Sequence, residues 1–277
     1  NLPSLTEIAQ SANSLAKTCI ARITPTKVFF IVADTNADSA IQLWAHIEAD
    51  KVFEDFRIES QNNNEIWLEL SPELLARSLK STAHADGTNL RLTKRDEKAV
   101  LSFQVSAVSR THKHVQITQD LPVRVLTKAQ ADVIQEPMVP DPQVHIMPPP
   151  LSALRPLVDR LKQLSGQCVI SANMQGEWRV EAQADGVTVE ARWEKLVNPG
   201  LDPSALPPPN SQPARDGFAF ARTRVDSRDL AKFLRSDVVN PTKVVCCLIE
   251  NHAVVFYVYI RDEGTGALTY FIPLRQT

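Results

Sequence analysis

Apolar residues recur along this chain in two styles, one typical of helices and one typical of strands. Spacing at i, i+3, i+4 and i+7 marks four amphipathic segments. This pattern predicts helices at about Leu5 to Thr18, Ser71 to Ala83, Leu151 to Leu164 and Asp226 to Arg235. Ser71 and Asp226 are suitable N-caps, because their side-chain oxygens can accept hydrogen bonds from the first helical N–H groups.

Most of the remaining chain consists of short β-rich runs separated by polar turns such as QNNN and KRDEK. The predicted strands are VFFIV, AIQLWAHI, DFRIES, EIWLEL, LRLT, VLSFQVSAV and HVQIT, followed by CVISANM, EWRVEAQ, VTVEARW, FAFARTRV, KVVCCLI, VVFYVYI and ALTYFIP. Each half therefore has two helices among several strands. The sequence predicts an α+β fold in which helices cover one face of an antiparallel sheet.

The two halves repeat each other. ELSPELLARSLKS, from Glu69 to Ser81, matches RVDSRDLAKFLRS, from Arg224 to Ser236, in both its leucines and its basic residues. The other two helices match at a slightly shorter offset, which also superposes Cys19 on Cys168. A second copy of the same apolar and basic faces indicates a duplicated fold. The Pro-rich stretch Asn198 to Pro213 can hold the extra residues of the second half.

Between the halves, the segment from Pro122 to Gln143 loses its periodicity and contains Pro137, Pro140 and Pro142 in quick succession. Proline removes backbone donors and restricts the residue before it, so we predict an extended linker here. The chain divides into an N-terminal half at 1–125, an interdomain linker at 126–143 and a C-terminal half at 144–277.

The overall charge of the 277 residues is −2, which predicts no general attraction to nucleic acid. The predicted helices differ from this average, since they hold nine basic and five acidic residues, most of the basic ones opposite the leucines. Taken singly, such faces are more often solvated surface. If the sheet packs behind all four helices, however, the basic stripes share one side and form a track for phosphates. The first helix is nearly devoid of these charges.

Catalytic motifs are missing from the sequence: it has no G-x-G-x-x-G, P-loop, G-x-S-x-G or H-E-x-x-H string. The close histidine pair His112 and His114 lies in a polar turn with no further zinc ligands nearby. The four cysteines lack C-x-x-C spacing and are expected to be buried, reduced thiols. No signal peptide opens the chain, and Glu250 and His252 interrupt its most apolar run, so we expect no membrane span. We predict neither an enzyme nor a bound cofactor or metal.

Two α+β halves with basic helices and a connecting linker resemble the DNA sliding clamps. Six strings narrow this likeness to the Hus subunits of the checkpoint clamp, the heterotrimeric nine-one-one ring: LAKTC (Leu15 to Cys19), NEIWLEL (Asn64 to Leu70), DLPVRV (Asp120 to Val125), EPMVPDP (Glu136 to Pro142), VNPTK (Val239 to Lys243) and YFIP (Tyr270 to Pro273). None of the six strings is specific alone, but their ordered combination from residue 15 to 273 is specific.

This resemblance implies a nuclear ring of three related subunits that encircles double-stranded DNA and binds no cofactor. A clamp loader would place the ring on damaged DNA, where it recruits checkpoint and repair proteins. Outer strands would pair with the neighbouring subunits. Clamp halves begin with a strand, which the second half has at Val144 to Met147. We expect the opening strand of the first half to lie outside the sequence, which starts directly in a helix.

The resemblance also assigns site residues. The implied DNA-facing residues are Lys17, Arg77, Lys80, Arg155, Arg160, Lys162, Arg228, Lys232 and Arg235. The implied partner-peptide region of the linker includes Pro137, Met138, Val139 and Pro140, although Met138 and Val139 could instead fasten the linker to the sheet. An alternative is a protein-interaction scaffold whose basic faces are only solvated and make no direct DNA contact. An enzyme would need polar groups that converge between the halves.

Overall fold

The computed structural model describes residues 2–33, 40–82, 85, 87–108, 114–200, 216–260 and 264–275. The chain forms two compact units. The first contains the chain up to Ala33 together with Leu43–Glu136 and Ile260–Leu268, and the second contains Pro137–Tyr259 and the chain from Thr269. Both units combine α-helices with antiparallel sheets.

In the described part of the chain up to Glu136 there are three helices, eight strands and one 3₁₀ turn. The helices are α1 (Leu2–Leu15), α2 (Pro72–Ser81) and α3 (Lys128–Asp132), and the 3₁₀ turn is Ala49–Lys51. The strands are β1 (Cys19–Ile23), β2 (Lys27–Val32), β3 (Gln42–Glu48), β4 (Ile66–Leu70), β5 (Gly87–Arg95), β6 (Lys98–Val108), β7 (His114–Pro122) and β8 (Arg124–Val125). Neighbouring strands are hydrogen-bonded in the orders β8-β4-β1-β2-β3 and β5-β6-β7.

The described part of the chain after Glu136 has the same kinds of element. Its helices are α4 (Leu151–Leu164) and α5 (Ser227–Phe233), and α5 continues as a 3₁₀ segment, Leu234–Val239. Its strands are β9 (Val144–Ile146), β10 (Gln167–Ala172), β11 (Trp178–Ala184), β12 (Val187–Trp193), β13 (Ala221–Asp226), β14 (Pro241–Ile249), β15 (Ala253–Ile260) and β16 (Gly266–Pro273). The orders are β16-β15-β14-β9 and β12-β11-β10-β13.

The duplication predicted from the sequence extends to strand pairing. Strand β1 pairs with β4 so that Cys19 lies opposite Leu70, and β10 pairs with β13 so that Cys168 lies opposite Val225. These are the residues that the two sequence offsets superpose. Because side chains alternate across a strand, equal register puts equivalent residues under the helices in both halves. Each half is thus built on the same pairing.

The helices are amphipathic because each buries one apolar stripe. Helix α1 packs against α2 and β2, and buries Leu5, Ile8 and Ala12. Helix α4 packs against α5, β10 and β11, and buries Leu154 and Leu161. Burying such side chains supplies most of the stability of helices this short. The lysines and arginines of α2, α4 and α5 lie outside this core.

The predicted N-caps are confirmed. The Ser71 hydroxyl accepts a hydrogen bond from the backbone N–H of Leu74, and the Asp226 carboxylate accepts one from the N–H of Arg228. Helix α4 begins and ends at the predicted residues, Leu151 and Leu164. The two-residue turn between β5 and β6 places Asp96 and Glu97 at positive φ, as the KRDEK turn required.

The predicted end of α1 is wrong, and this moves Lys17 off the helix. Helix α1 runs from Leu2 to Leu15, and its last backbone hydrogen bond joins the N–H of Ala16 to the carbonyl of Ala12. The chain must already be extended at Cys19 to pair with β4, so tertiary pairing ends the helix early. Lys17 lies in the short connection that follows and is exposed.

Two other predictions made from local pattern are also wrong. DFRIES, at residues 55–60, forms no strand, because it has no neighbouring strand with which to pair; Phe53 and Phe56 stack instead. The linker is not wholly extended, since α3 forms within it. Thr127 and Gln130 form a capping box at its start, and Ala131 is buried. The side chains of His112 and His114 and residues 201–213 of the Pro-rich stretch lie outside the described residues.

The N-cap of α2 should contribute measurably to stability. Replacing Ser71→Ala removes the acceptor for the Leu74 N–H, so we expect the free energy of unfolding to fall by ~1 kcal/mol. The matched control is Ser78→Ala, at an interior helical position where alanine has the higher helix propensity. Urea unfolding followed by circular dichroism measures both variants. Equal losses in the two variants would contradict the capping role.

Candidate nucleic-acid interface

Helix α2 separates its basic residues from the core. Leu75, Ala76 and Leu79 are buried, whereas Arg77 and Lys80 are exposed. The separation follows from helical periodicity, because residues that are three or four positions apart share a face. The predicted basic face of this helix is therefore present at the surface of the first unit.

The helices of the second unit repeat this arrangement. In α4, Leu154 and Val158 are buried while Arg155 and Arg160 are exposed and Lys162 is half-buried. In α5 and its 3₁₀ continuation, Leu230 and Leu234 are buried. On the same segment, Arg228 and Arg235 are exposed and Lys232 is half-buried. All of the predicted basic residues except Lys17 lie on these helical segments.

Four of the nine basic residues already have carboxylate partners. The ion pairs are Arg77 with Glu73 at 2.7 Å, Lys162 with Asp159 at 2.8 Å, Lys232 with Asp229 at 2.9 Å and Arg155 with Asp237 at 3.3 Å. Three of these pairs are three or four residues apart on one helix, where exposed pairs contribute only a few tenths of a kcal/mol. The Arg77 and Lys162 pairs are therefore easily exchanged for a phosphate, whereas Asp229 is buried and its pair with Lys232 is costlier to break.

Asp159 brings the basic residues of the second unit together. Lys162 donates a hydrogen bond to it, and that bond holds the pKa of the Asp159 carboxyl below its usual range; the charges of Arg155 and Arg235 act in the same direction. Arg235, which follows α5, is thus close enough to α4 to interact electrostatically with Asp159. The Asp159 carboxylate remains ionised and partly neutralises the positive charges of Arg155, Lys162 and Arg235.

The other basic residues form no ion pair with any described residue. They are Lys17, Lys80, Arg160, Arg228 and Arg235, and all five are exposed. Four of them, Lys80 among them, stand on the basic helical faces. These four can contact a phosphate without losing an existing partner, so they are the strongest candidates for nucleic-acid contact.

The linker residues have different surroundings. Met138 is 98% exposed, whereas Val139 is half-buried. Pro137 and Pro140, on either side of this pair, restrict the backbone. Met138 therefore does not fasten the linker to the sheet. Further along, the Gln143 N–H donates to the Leu248 carbonyl, and the Gln143 side chain accepts from the Glu250 N–H. These two bonds anchor the end of the linker to the second unit.

Exposed apolar residues on two outer strands were not singled out from the sequence. Val115 and Ile117 lie on β7, and Val187 and Val189 lie on β12; all four are exposed large apolar side chains. Each strand is at the end of its sheet. The alternation in VQITQ and VTVEARW is a signal that could have found them, because apolar residues at i and i+2 share one face of a strand.

The cysteines are buried in the cores. Burial raises the pKa of Cys19, Cys168 and Cys247 to about 12, and it raises the pKa of Cys246 well above its ordinary value. Among the described residues, no group of three or more His, Cys, Asp or Glu side chains is arranged to hold a metal ion. Nor does any described helix have the length and apolar character needed to cross a membrane.

Two similar halves with paired helices on antiparallel sheets define the class of fold as that of the sliding clamps. The structure resembles Proliferating Cellular Nuclear Antigen from Entamoeba histolytica, with a TM-score of 0.70 and 10% identity over 99% of this chain and 96% of that one. It also resembles PCNA from Thermococcus kodakaraensis, with a TM-score of 0.66 and 13% identity over 99% and 97%. The predicted fold class is confirmed.

Sequence comparison gives the family. The profile of the family described as "Hus1-like protein" matches residues 1–276. The chain is 35% identical to "Checkpoint protein hus1" of Schizosaccharomyces pombe, over 98% of this chain and 96% of the relative, and 34% identical to "Checkpoint protein HUS1" of Homo sapiens, over 97% and 93%. The chain belongs to the Hus1-like protein family, which confirms the resemblance.

The burial of the four thiols has a direct chemical consequence. Because the thiolate is the reactive form and burial raises the pKa of Cys19, Cys168 and Cys247 to about 12, we expect ~10⁻⁴ of each of these thiols to be ionised at pH 8. The pKa of Cys246 is also raised well above its ordinary value, and all four thiols are buried. Ellman's reagent should therefore leave the native protein unmodified over minutes. After unfolding in urea, all four cysteines should react. A rapidly reacting thiol in the native protein would contradict the burial.

Proposed function

We propose that the chain is a non-catalytic subunit of a heterotrimeric DNA sliding clamp, which encircles double-stranded DNA in the nucleus during the DNA damage checkpoint. The fold and the family membership support this proposal. The observation that carries it is specific to the helices. Helices α2, α4 and α5 each bury an apolar stripe and leave basic residues exposed, on a chain whose overall charge is −2.

The chemistry of the helical faces suits phosphate contact without sequence recognition. Phosphates need only positive charge and donors, whereas base reading needs side chains that enter a groove. Lysines and arginines on a regular helix face supply positive charge and donors, but they do not supply side chains that enter a groove. Since α1 has no lysine or arginine, its share of the contact is weaker. Sliding requires such weak, salt-dependent contacts, because tight ones would hold the clamp in place.

Charge reversal tests the DNA contact. We expect the combined substitutions Lys80→Glu, Arg160→Glu, Arg228→Glu and Arg235→Glu to lower retention of the assembled ring on end-blocked DNA by at least ~10-fold at ~0.1 M salt. These positions are preferable to Lys162 and Lys232, which their own helices partly neutralise. Retention is measured by pull-down of labelled DNA over a salt series.

A control with the same change of charge separates pore contact from net charge. Lys51→Glu, Lys94→Glu, Lys98→Glu and Lys195→Glu change four exposed lysines away from α2, α4 and α5. The control ring should keep most of its retention. Equal losses of DNA retention in the two rings would contradict the assignment of the basic helices to DNA contact, because net charge alone would then explain both losses.

The ring requires two edges, and we assign them to β7 and β12. In the sheet β5-β6-β7, the other outer strand, β5, has Lys94 and Arg95 at its end, and charges of this kind discourage pairing. In β7, by contrast, the stretch from Val115 to Gln119 has no charge. In the other sheet, residues of the β14–β15 turn and the C-terminal segment hydrogen-bond to β13, so β12 has the open edge.

Single lysines test these edges. We expect Ile117→Lys and Val189→Lys each to break one contact with a neighbouring subunit, because burial of the apolar side chain is lost and a charge is placed in the interface. The control is Leu92→Lys, which changes an exposed apolar residue on β5. Size-exclusion chromatography with light scattering, on the co-expressed subunits, measures assembly. Intact rings in both variants would contradict the assignment.

The proposed partners are two related clamp subunits, a clamp loader, and checkpoint and repair proteins. The A. fulgidus PCNA, whose structure resembles this chain with a TM-score of 0.63, was solved bound to the C-terminal region of FEN-1. By analogy, we propose that the linker region Pro137 to Pro140 takes part in receiving partner peptides. Met138 offers a fully accessible apolar side chain for such contact.

A second candidate is a protein-interaction scaffold that makes no direct DNA contact. The four ion pairs on the basic helices favour it, since they show that these faces can be satisfied without phosphate. The two charge-reversed rings distinguish the candidates. A scaffold predicts that neither ring loses DNA retention.

A further inference from the structure

Three backbone hydrogen bonds bring four exposed basic residues together in the second unit. The Asn251 N–H donates to the Arg222 carbonyl at 3.3 Å, the Arg275 N–H donates to the Arg224 carbonyl at 2.9 Å, and the Leu274 N–H donates to the His252 carbonyl at 2.8 Å. The segments joined are β13, the β14–β15 turn and the C-terminal segment. We call Arg222, Arg224, His252 and Arg275 the basic cluster; each is exposed.

The two β13 arginines of the basic cluster lie on the opposite side of their strand from the core. Ala221, Thr223 and Val225 are buried, and side chains alternate along a strand, so Arg222 and Arg224 share the outer face. Same-face neighbours in a strand are ~7 Å apart. Helices α4 and α5 pack on the inner face, so these arginines are separate from the helical residues proposed to contact DNA.

Neighbouring arginines on this sheet form ion pairs, but those of the basic cluster do not. In register, Ser171 lies between Arg179 and Arg222. Arg179 pairs with Glu177 at 3.0 Å, and Arg192 pairs with Glu177 at 2.9 Å and Glu194 at 2.8 Å. Arg222, Arg224 and Arg275 form no ion pair with any described residue. Like charges held together destabilise a sheet, and an anion would relieve this repulsion.

We propose that the basic cluster binds an acidic, extended segment of a partner protein. Carboxylates at alternate positions of an extended peptide are also ~7 Å apart, which matches Arg222 and Arg224. Guanidinium groups bind carboxylates through paired hydrogen bonds. A nucleic acid fits less well, because the ion-paired carboxylates Glu177 and Glu190 border the arginines on the same sheet and would repel a longer polyanion.

The test uses the whole chain and a fluorescein-labelled peptide with an Asp-Ser-Asp-Ser-Asp core between Gly-Ser flanks. The matched ligand has asparagine in place of each aspartate. We expect fluorescence anisotropy at low salt to show binding of the acidic peptide only. The paired substitution Arg222→Gln with Arg224→Gln should weaken this binding by at least ~10-fold, because both bidentate contacts are lost. Lys195→Gln, another exposed basic residue of this unit, should leave it unchanged.

Three results would overturn the proposal. They are a failure of the acidic peptide to bind, an equal loss in Lys195→Gln, and tighter binding of a single-stranded oligonucleotide through the same two arginines. Glutamine keeps the side chain long and polar, and the thermal unfolding midpoint of each variant checks that the fold is retained. The peptide assay does not require the ring, so its outcome is independent of the clamp assignment.

Discussion

Burial of two helical leucine stripes against one face of an antiparallel sheet governs each half of this protein. The register of the central strands sets that face: Cys19 opposite Leu70 in the first half, and Cys168 opposite Val225 in the second. A shift of one residue would turn every buried side chain to the outside. Because the helices have only one exposed side left, their charges are concentrated there. The surface chemistry is thus a consequence of the packing.

Equivalent packing has not kept the two halves equivalent in charge. Helix α1 and helix α4 have matching bounds and share the core of their buried stripe, yet α4 bears Arg155, Arg160 and Lys162 while α1 has no basic residue. The core constrains the apolar stripe, whereas the exposed face is free to change. Within α4 and α5, carboxylates such as Asp159 moderate the positive charge. The net positive charge of these helices is therefore moderate, which is what the proposed sliding on DNA would require.

Features that depend on residues close together in the sequence were predicted correctly, whereas features that depend on distant residues were not. Helix α4 and both N-caps depend on spacing within a few residues, and they were predicted to the residue. The end of α1 depends on a strand pairing 51 residues away in sequence, from Cys19 to Leu70, so local pattern extended that helix too far. The basic residues themselves were visible, but the Arg155–Asp237 pair joins segments that only the fold brings together. The basic cluster was missed for the same reason, because its members come from three separate segments.

The proposal depends above all on assembly, because a single subunit cannot encircle DNA. The measurement is the mass and stoichiometry, by native mass spectrometry, of the complex purified from cells through a tag on this chain. We expect one copy of this chain with one copy each of two different, related subunits. Recovery of the chain alone, or of a complex that contains only copies of it, would rule out a heterotrimeric clamp.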